Sequence, residues 1–439
     1  MGIFRIPADT PMTAELLGEY IGKHKTEVAQ RYQKLKDAYE NRYDIYRMPK
    51  KADWKPDNRI SVNFARYIVD TLTGFFIGIP VKTASEDSAV ADYLELLDQY
   101  NDVDNVNSEL SKICSIYGSG YEMYYTDADS QVCIAYLDPT EAFMIYDESI
   151  LERPLYFVRY YRDWENVERG SWSDGTVVQH FVNRGAYQWD GEPEPHYFDG
   201  VPATEFVEND ERTGVFEGVL PMINAYNKAI SEKANDVDYF ADAYLKVLGA
   251  ALDDSAKKDL RANRLINLVG EDADRVVVEF LQKPDGDATQ EHLIDRLERL
   301  IFQVSMVANI SEEDFGTASG VALRYRLQGM SNMARVKERK FASGMNRRYR
   351  LIFSNPVTRL PENSWVSVTS HFTMNYPANI ADEANTARNL EGVVSKETQL
   401  KVLSVVDSVP AELERMEKEE ATRAESAVDR RMFSTEGAE

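Results

Sequence analysis

Apolar residues recur every three or four positions along most of this chain, and every second position through one stretch near its middle. Leu16, Leu17, Tyr20, Val28, Tyr32, Leu35, Tyr39 and Tyr43 keep helical spacing through residues 12–48. A polar loop, KKADWKPDNR (50–59), follows. Asn58–Val81 then reads as a buried helix stopped by Gly78 and Pro80, with a short strand beyond it. Helical spacing returns over 87–100 and 103–117, until Gly118 and Gly120 end it. From Tyr121 the period becomes two: YEMYYTD, a DADS turn and QVCIAYLD form a hairpin. EAFMIYDE, PLYFVRYYRD and segments near 175–183, 186–190 and 194–198 continue as strands.

The strand VPATEFV and the loop ENDERTG lead into a long helix with Pro221 in its first turn, where a missing N–H costs nothing. Its apolar stripe is Ile223, Tyr226, Ile230, Val237, Phe240 or Ala241, Tyr244 and Leu248. Lys228, Glu232, Lys233, Asp236, Asp238, Asp242 and Lys246 occupy the other face. Such a rod spans ~40 Å, and its single stripe needs a partner. After the turn PDGD, Leu293, Leu297, Leu300, Ile301, Val304 and Val307 or Ala308 mark a second amphipathic helix. The insert between them reads as a short helix (SAKKDLRAN), a strand (RLINLV), a turn (GEDAD) and a strand (RVVVEFLQ). Two long helices with a small α/β module at their tip fit this pattern. An ordinary helical hairpin inside a core fits it too, and spacing alone favours the hairpin.

A third long helix runs from near Gly320 to about Phe353, with Leu323, Leu327, Met330, Ala334, Phe341, Met345, Tyr349 and Ile352 as its stripe. Gly329 and Gly344 each weaken it by up to ~1 kcal/mol relative to Ala. It is densely basic: Arg324, Arg326, Arg335, Lys337, Arg339, Lys340, Arg347, Arg348 and Arg350 face only Glu338. That face could meet DNA phosphates, lie in solvent, or pair with acidic faces of neighbouring copies of the chain. Complementarity with an acidic remainder favours the last. A strand, SWVSVTSHFTMNYP, with Val366, Val368, Phe372 and Met374 alternating, comes next. Helices at 380–393, 396–407 and 410–425 and a frayed tail close the chain. The fold class is α+β, mostly helical.

Charge narrows the function. The 439 residues hold 74 Asp and Glu against 50 Lys and Arg, a formal net charge of −24. Tight nonspecific DNA binders neutralise phosphates with Lys and Arg, so this balance speaks against such binding while allowing DNA to pass without sticking. Cys114 and Cys133 are too few for a disulfide framework and fit a reducing interior. The first twenty residues lack an apolar signal core, and the most apolar run, Tyr67–Val81, is too short to span a bilayer and contains Asp70. Phosphate-loop, dinucleotide and GxSxG motifs are missing, and His24, His180, His196, His292 and His371 have no metal-ligand spacing. Ser319 opens a helix but no strand precedes it. Asp253–Asp254 and Glu312–Glu313–Asp314 read as solvated acids rather than a magnesium site. Neither an enzyme nor a cofactor is expected.

Several pieces, taken in order, carry a resemblance: NFARYIVDTLTGFFIGIPV, LDPTEAFMIYDE before PLYFVRYY, VPATEFVEND before the long helix, EDFGTASGVALRYRLQGM, FTMNYPANIADEA, and SKETQLKVLSVV before AELERMEKE. From about Asn58 to Glu420 the chain resembles the portal proteins of tailed bacteriophages, of the siphovirus type found with Gram-positive hosts. The resemblance implies dodecameric rings around a channel for double-stranded DNA, with wing, stem, clip and crown regions. Residues 1–218 would be wing, 219–248 and 290–308 the two stem helices, and 249–289 the clip. A tunnel loop would cover 309–320, with Asp314, Phe315, Gly316, Thr317, Ala318, Ser319 and Gly320 at the channel's narrowest point. The helix 321–355 would cross the ring, 356–379 would add a wing strand, and 380–439 would form a short crown and tail. Implied partners are other copies of the chain, DNA in transit, the terminase large subunit, a head–tail adaptor, and the major capsid and scaffolding proteins, with no membrane. Implied location is the portal vertex of the virion, after assembly in the host cytoplasm. Two alternatives are a phage-encoded metal-dependent DNA-processing enzyme, betrayed by nuclease or ATPase activity, and a helical scaffold that forms no ring.

Overall fold

The computed structural model describes residues 3–53, 55–241, 245–248, 277–280, 287–310, 320–376, 380–403, 405–406, 409 and 412–419. The chain divides into two compact units, Met1–Asn309 with Gly329–Met374, and Ile310–Gln328 with Asn375–Glu439.

The first unit is built on two sheets. The larger takes β1 (Phe4–Ile6), β5 (Ala142–Asp147), β6 (Pro154–Arg162), β7 (Glu168–Ser173), β8 (Val177–Asn183) and β10 (Glu194–Pro195) in that order, with β9 (Tyr187–Trp189) also on β8. Neighbours run antiparallel except β1, which lies parallel to β5. The smaller sheet orders β11 (Ala203–Val207), β3 (Ser119–Thr126) and β4 (Val132–Leu137). Helix α1 (Ala14–Lys23), capped by the Thr13 hydroxyl accepting from the Leu16 amide at 3.2 Å, buries Leu17, Tyr20 and Ile21. These pack on Phe143, Ile145, Val158, Tyr160, Trp172 and Phe181 along one face of the large sheet. On its other face Met144, Tyr146 and Phe157 meet Tyr121, Val201 and Ala203 from the small sheet and its approach. Strand β5 is therefore buried on both faces.

The expected hairpin over Tyr121–Asp138 is β3 and β4. The helix of the apolar run is α3 (Phe64–Ile77), capped by Asn63, with Ala65, Ile68, Val69 and Leu72 fully buried. Further helices are α2 (Ala29–Tyr39), α4 (Ser88–Asn101) and α5 (Val103–Tyr117). Gly118 ends α5 at φ +89°, and a Cβ there would stand 2.2 Å from the Arg212 backbone. Strand β7, ERGSWS, escapes the period-two pattern because it carries one large apolar residue, Trp172. It is held instead by close approach, since a Cβ on Gly170 would lie 2.1 Å from the Arg159 carbonyl oxygen.

Three expectations need correction. The first long helix, α6, covers Leu220–Ala241 only. Leu245–Leu248 is a strand, β12, antiparallel to β13 (Val277–Phe280). The Tyr244–Leu248 spacing of four belongs equally to a helix and to a strand, so periodicity could not separate them. The third long helix is interrupted at Leu327, giving α8 (Gly320–Arg326) and α9 (Gln328–Ser354), after α7 (Asp287–Ser305). Gly329 follows the break, where a Cβ would come 3.5 Å from Met306. Finally, most of 364–377 is not strand. Glu362–Ser367 is a 3₁₀ turn in which the Ser367 hydroxyl donates to the Ser364 carbonyl at 2.8 Å. Only β14 (Thr369–His371) pairs, with β2 (Lys82–Ala84).

In the second unit, α10 (Ile380–Asn389) and α11 (Lys396–Leu400) are shorter than the sequence pattern suggests, and residues 412–419 are helical. Gly392, at φ +76°, lies between the first two.

Candidate functional site: the long helix and the helical pair

The stripe read from the sequence of α9 is the stripe that is buried: Met330, Ala334, Phe341, Met345, Tyr349 and Ile352 all lie inside. Its basic residues divide. Arg335, Arg339 and Arg350 are exposed, and Lys340 reaches the exposed Asp210. Arg347 is half-buried, and its guanidinium donates to the Val201 and Ala203 carbonyls at 3.4 Å; burial pulls its pKa below the usual arginine value. Arg324 and Arg326 are exposed on α8, in the other unit.

Lys337 and Arg348 point inward, so neither can face a neighbouring subunit. The Lys337 ammonium, 1% exposed, lies 2.7 Å from a Glu208 oxygen and donates to the Ser111 carbonyl at 2.9 Å and the Ser115 hydroxyl at 2.6 Å. The Phe76 ring lies 5.4 Å from it. Arg348 and Glu122 are both 0% exposed. Arg348 forks onto that carboxylate, with Nε–Oε2 at 2.9 Å, while its Nη2 also donates to Asn107 Oδ1 at 2.7 Å. The Tyr124 hydroxyl donates to Glu122 as well, at 2.9 Å. Burial would lower the Arg348 pKa, but the Glu122 charge outweighs it and holds the guanidinium above its ordinary value. Eleven residues, ~16 Å of helix, separate these two ion pairs. Between them, a Cβ on Gly344 would stand 2.5 Å from the Phe206 ring. The glycine that weakens the helix in isolation lets it seat on β11.

Helices α6 and α7 pack on each other, joined by Lys233–Glu291 and by Gln290 donating to Asp236 at 3.2 Å. The buried face of α7 is Ile294 and Ile301, while Leu293 and Val304 of the expected stripe stand about half exposed. On α6, Ile223 and Tyr226 are buried but Val237 is exposed. Sequence periodicity missed a polar row on α6. Asn227, Ser231 and Asn235 are buried and accept from the backbone amides of Val62, Ile60 and Asn58 at 2.8, 2.9 and 2.6 Å. Their spacing of four was the available signal. Among the described residues no His, Cys, Asp and Glu group could hold a metal ion, and no helix is long and apolar enough to cross a membrane. Of the proposed channel residues, Asp314, Phe315, Gly316, Thr317, Ala318 and Ser319 lie outside the described residues, as does most of the insert; Gly320 opens α8.

The family model described as "Phage portal protein, SPP1 Gp6-like" matches residues 19–426. The chain belongs to this phage portal family. It is 24% identical over 441 aligned positions to the portal protein of Bacillus phage SPP1, covering 94% of this chain and 86% of that one. It is 21% identical to the portal protein of Clostridium phage phiCD119, covering 85% and 89%. A chain from the neck of an empty GTA particle, computed with C6 symmetry, aligns at TM-score 0.44 and 10% identity over 77% of this chain and 89% of that one. The assignment does not rest on that alignment. As a phage portal protein the chain belongs to a structural family of the capsid vertex, and the resemblance to portals of Gram-positive-host phages holds.

Proposed function

We propose that this portal-family chain assembles into a closed ring, dodecameric by family pattern, whose channel passes double-stranded DNA inward under terminase and outward at infection. The match over residues 19–426 carries this reading. In it, the first-unit sheets form the wing, α6 and α7 the stem, 249–289 the clip that meets terminase and later a head–tail adaptor, and 309–320 the tunnel loop. Residues 321–355 cross the ring and 380–439 form a short crown, while capsid and scaffolding proteins surround the wing. The ring is built in the host cytoplasm and no enzymatic step is assigned to it. The net charge of −24 supports a passage role, because a strongly basic lumen would grip a duplex carrying one charge per ~1.7 Å. The outward Val237, Leu293 and Val304 support further packing between copies. Arg324, Arg326, Arg335, Arg339, Lys340 and Arg347 remain the cationic set for acidic faces of neighbours or for DNA.

Light scattering with negative-stain imaging of the purified protein tests it. The chain weighs 50.1 kDa, so a closed dodecamer gives a ring of ~600 kDa with a central hole. A particle that stays monomeric at every concentration, or that cleaves DNA with added magnesium, counts against it.

A further inference from the structure

Residues of the seven-stranded and the three-stranded sheet together line a cleft of about 960 Å³. That volume is at the upper end of the ~300–1,000 Å³ typical of binding pockets. Its lining includes Tyr125 of β3, Arg159, Tyr161 and His180 of the large sheet, and Tyr197 and Val357. The Arg159 guanidinium lies 5.1 Å from the Tyr161 ring. Arg159 acts electrostatically on the Glu141 carboxylate without an ion pair among the described residues, and Glu194 is the one acid among the residues lining the cleft.

The turn between β6 and β7 presents the opposite shape. Trp164 is 92% exposed at its tip. The tip is rigid: one Asp163 carboxylate oxygen accepts from the Glu165 and Val167 amides at 3.0 and 2.9 Å, and the other from Arg169 at 2.8 Å. Arg162 adds bonds to Asn166 at 3.2 Å. Glu165, beside the indole, is exposed and makes no side-chain bond among the described residues. A tryptophan almost wholly exposed on a braced turn is the residue type most often found as a binding hot spot.

We propose that the Trp164–Glu165 tip of one copy docks into the inter-sheet cleft of the next. The indole would enter among the tyrosines with its face toward Arg159, and Glu165 would pair with the Arg159 and His180 side. Glu165 and Arg159 carry opposite charges, and the aromatic tip meets an aromatic-lined cleft. The tip cannot fill its own cleft, because β6 and β7 stay paired up to Arg162–Glu168. Knob and socket are different patches of one chain, so the contact is heterologous, the type that builds a ring when its rotation closes and a filament when it does not. The contact rests on the ring reading above, and adds to it which surfaces meet.

The test is the concentration dependence of assembly of the full chain, by light scattering, for wild type, Trp164→Ala, Arg159→Glu, and Arg159→Glu with Glu165→Arg. Both single variants are expected to raise the concentration of half-assembly at least about tenfold, a loss of ~1.4 kcal/mol per contact. The charge exchange should recover most of what Arg159→Glu loses. A wild-type ring that Trp164→Ala leaves unchanged, or a charge exchange no better than Arg159→Glu, overturns the contact alone. A wild type that never assembles overturns the contact and the ring reading together.

Discussion

Replacing Arg348 by Met isolates what the buried charge on α9 contributes. Met keeps much of the stem volume but removes the fork on Glu122. The carboxylate then retains, among the described residues, only the Tyr124 hydroxyl at 2.9 Å, at a position with 0% exposure. Breaking a buried pair by deleting one partner costs ~3–5 kcal/mol, whereas deleting both charges is often near neutral. Arg348→Met should therefore lower the opening free energy of this part of the helix by that amount, and adding Glu122→Gln should return most of it. Hydrogen exchange of the α9 amides reads the effect locally, without assuming that a chain of two units unfolds in one step. The loss corresponds to exchange roughly 150- to 5,000-fold faster for the single variant. Exchange within tenfold of wild type, or a double variant no slower than the single, would refute a structural charge pair at this site.

Two further perturbations probe the same unit. Burial lowers the pKa of His24 to about 4 against an opposing backbone hydrogen bond at Pro139, and the ring sits 2.8 Å from the Tyr160 hydroxyl. The unfolded chain then binds the extra proton first, so stability is full above about pH 6.5 and falls as pH drops toward 4, by roughly 3 kcal/mol. Urea midpoints across that window should slope in wild type and flatten in His24→Gln; equal slopes would refute the assignment. Gly344→Ala should destabilise by ~1–3 kcal/mol through overpacking on Phe206, although alanine is the better helix former by ~1 kcal/mol. A raised melting temperature would show that the helix does not seat as closely as the 2.5 Å approach requires.

The stripe of α9 was legible because one period holds from Met330 to Ile352. Lys337, three after Ala334 and four before Phe341, and Arg348, three after Met345 and four before Ile352, fall on that stripe, away from the exposed Arg335, Arg339 and Arg350. What local spacing could not supply was their partners, Glu208 and Glu122, which lie more than a hundred positions away. Likewise α6 showed its apolar contacts but hid its polar row, since buried asparagine and serine look like surface residues until the segment they hold, 58–62, is known. The end of α6 failed for a simpler reason, because four-residue spacing serves helix and strand alike. Family membership was readable from ordered motifs spread along the chain, none of which carries chemistry. The cleft and the Trp164 tip required the register of two sheets, which no single stretch encodes.

The row on α6 also behaves as a length gauge. Its acceptors repeat every four helical residues, ~6.0 Å, while the amides of Asn58, Ile60 and Val62 repeat every two extended residues, ~6.6 Å. Over three rungs the two rulers drift apart by only ~1.2 Å, within the tolerance of hydrogen bonds. Sliding by a single residue would turn the amides away from all three acceptors at once. Segment 58–62 runs straight into the Asn63 cap of α3, so an axial push on α6 reaches α3 as one coupled step rather than a gradual slip.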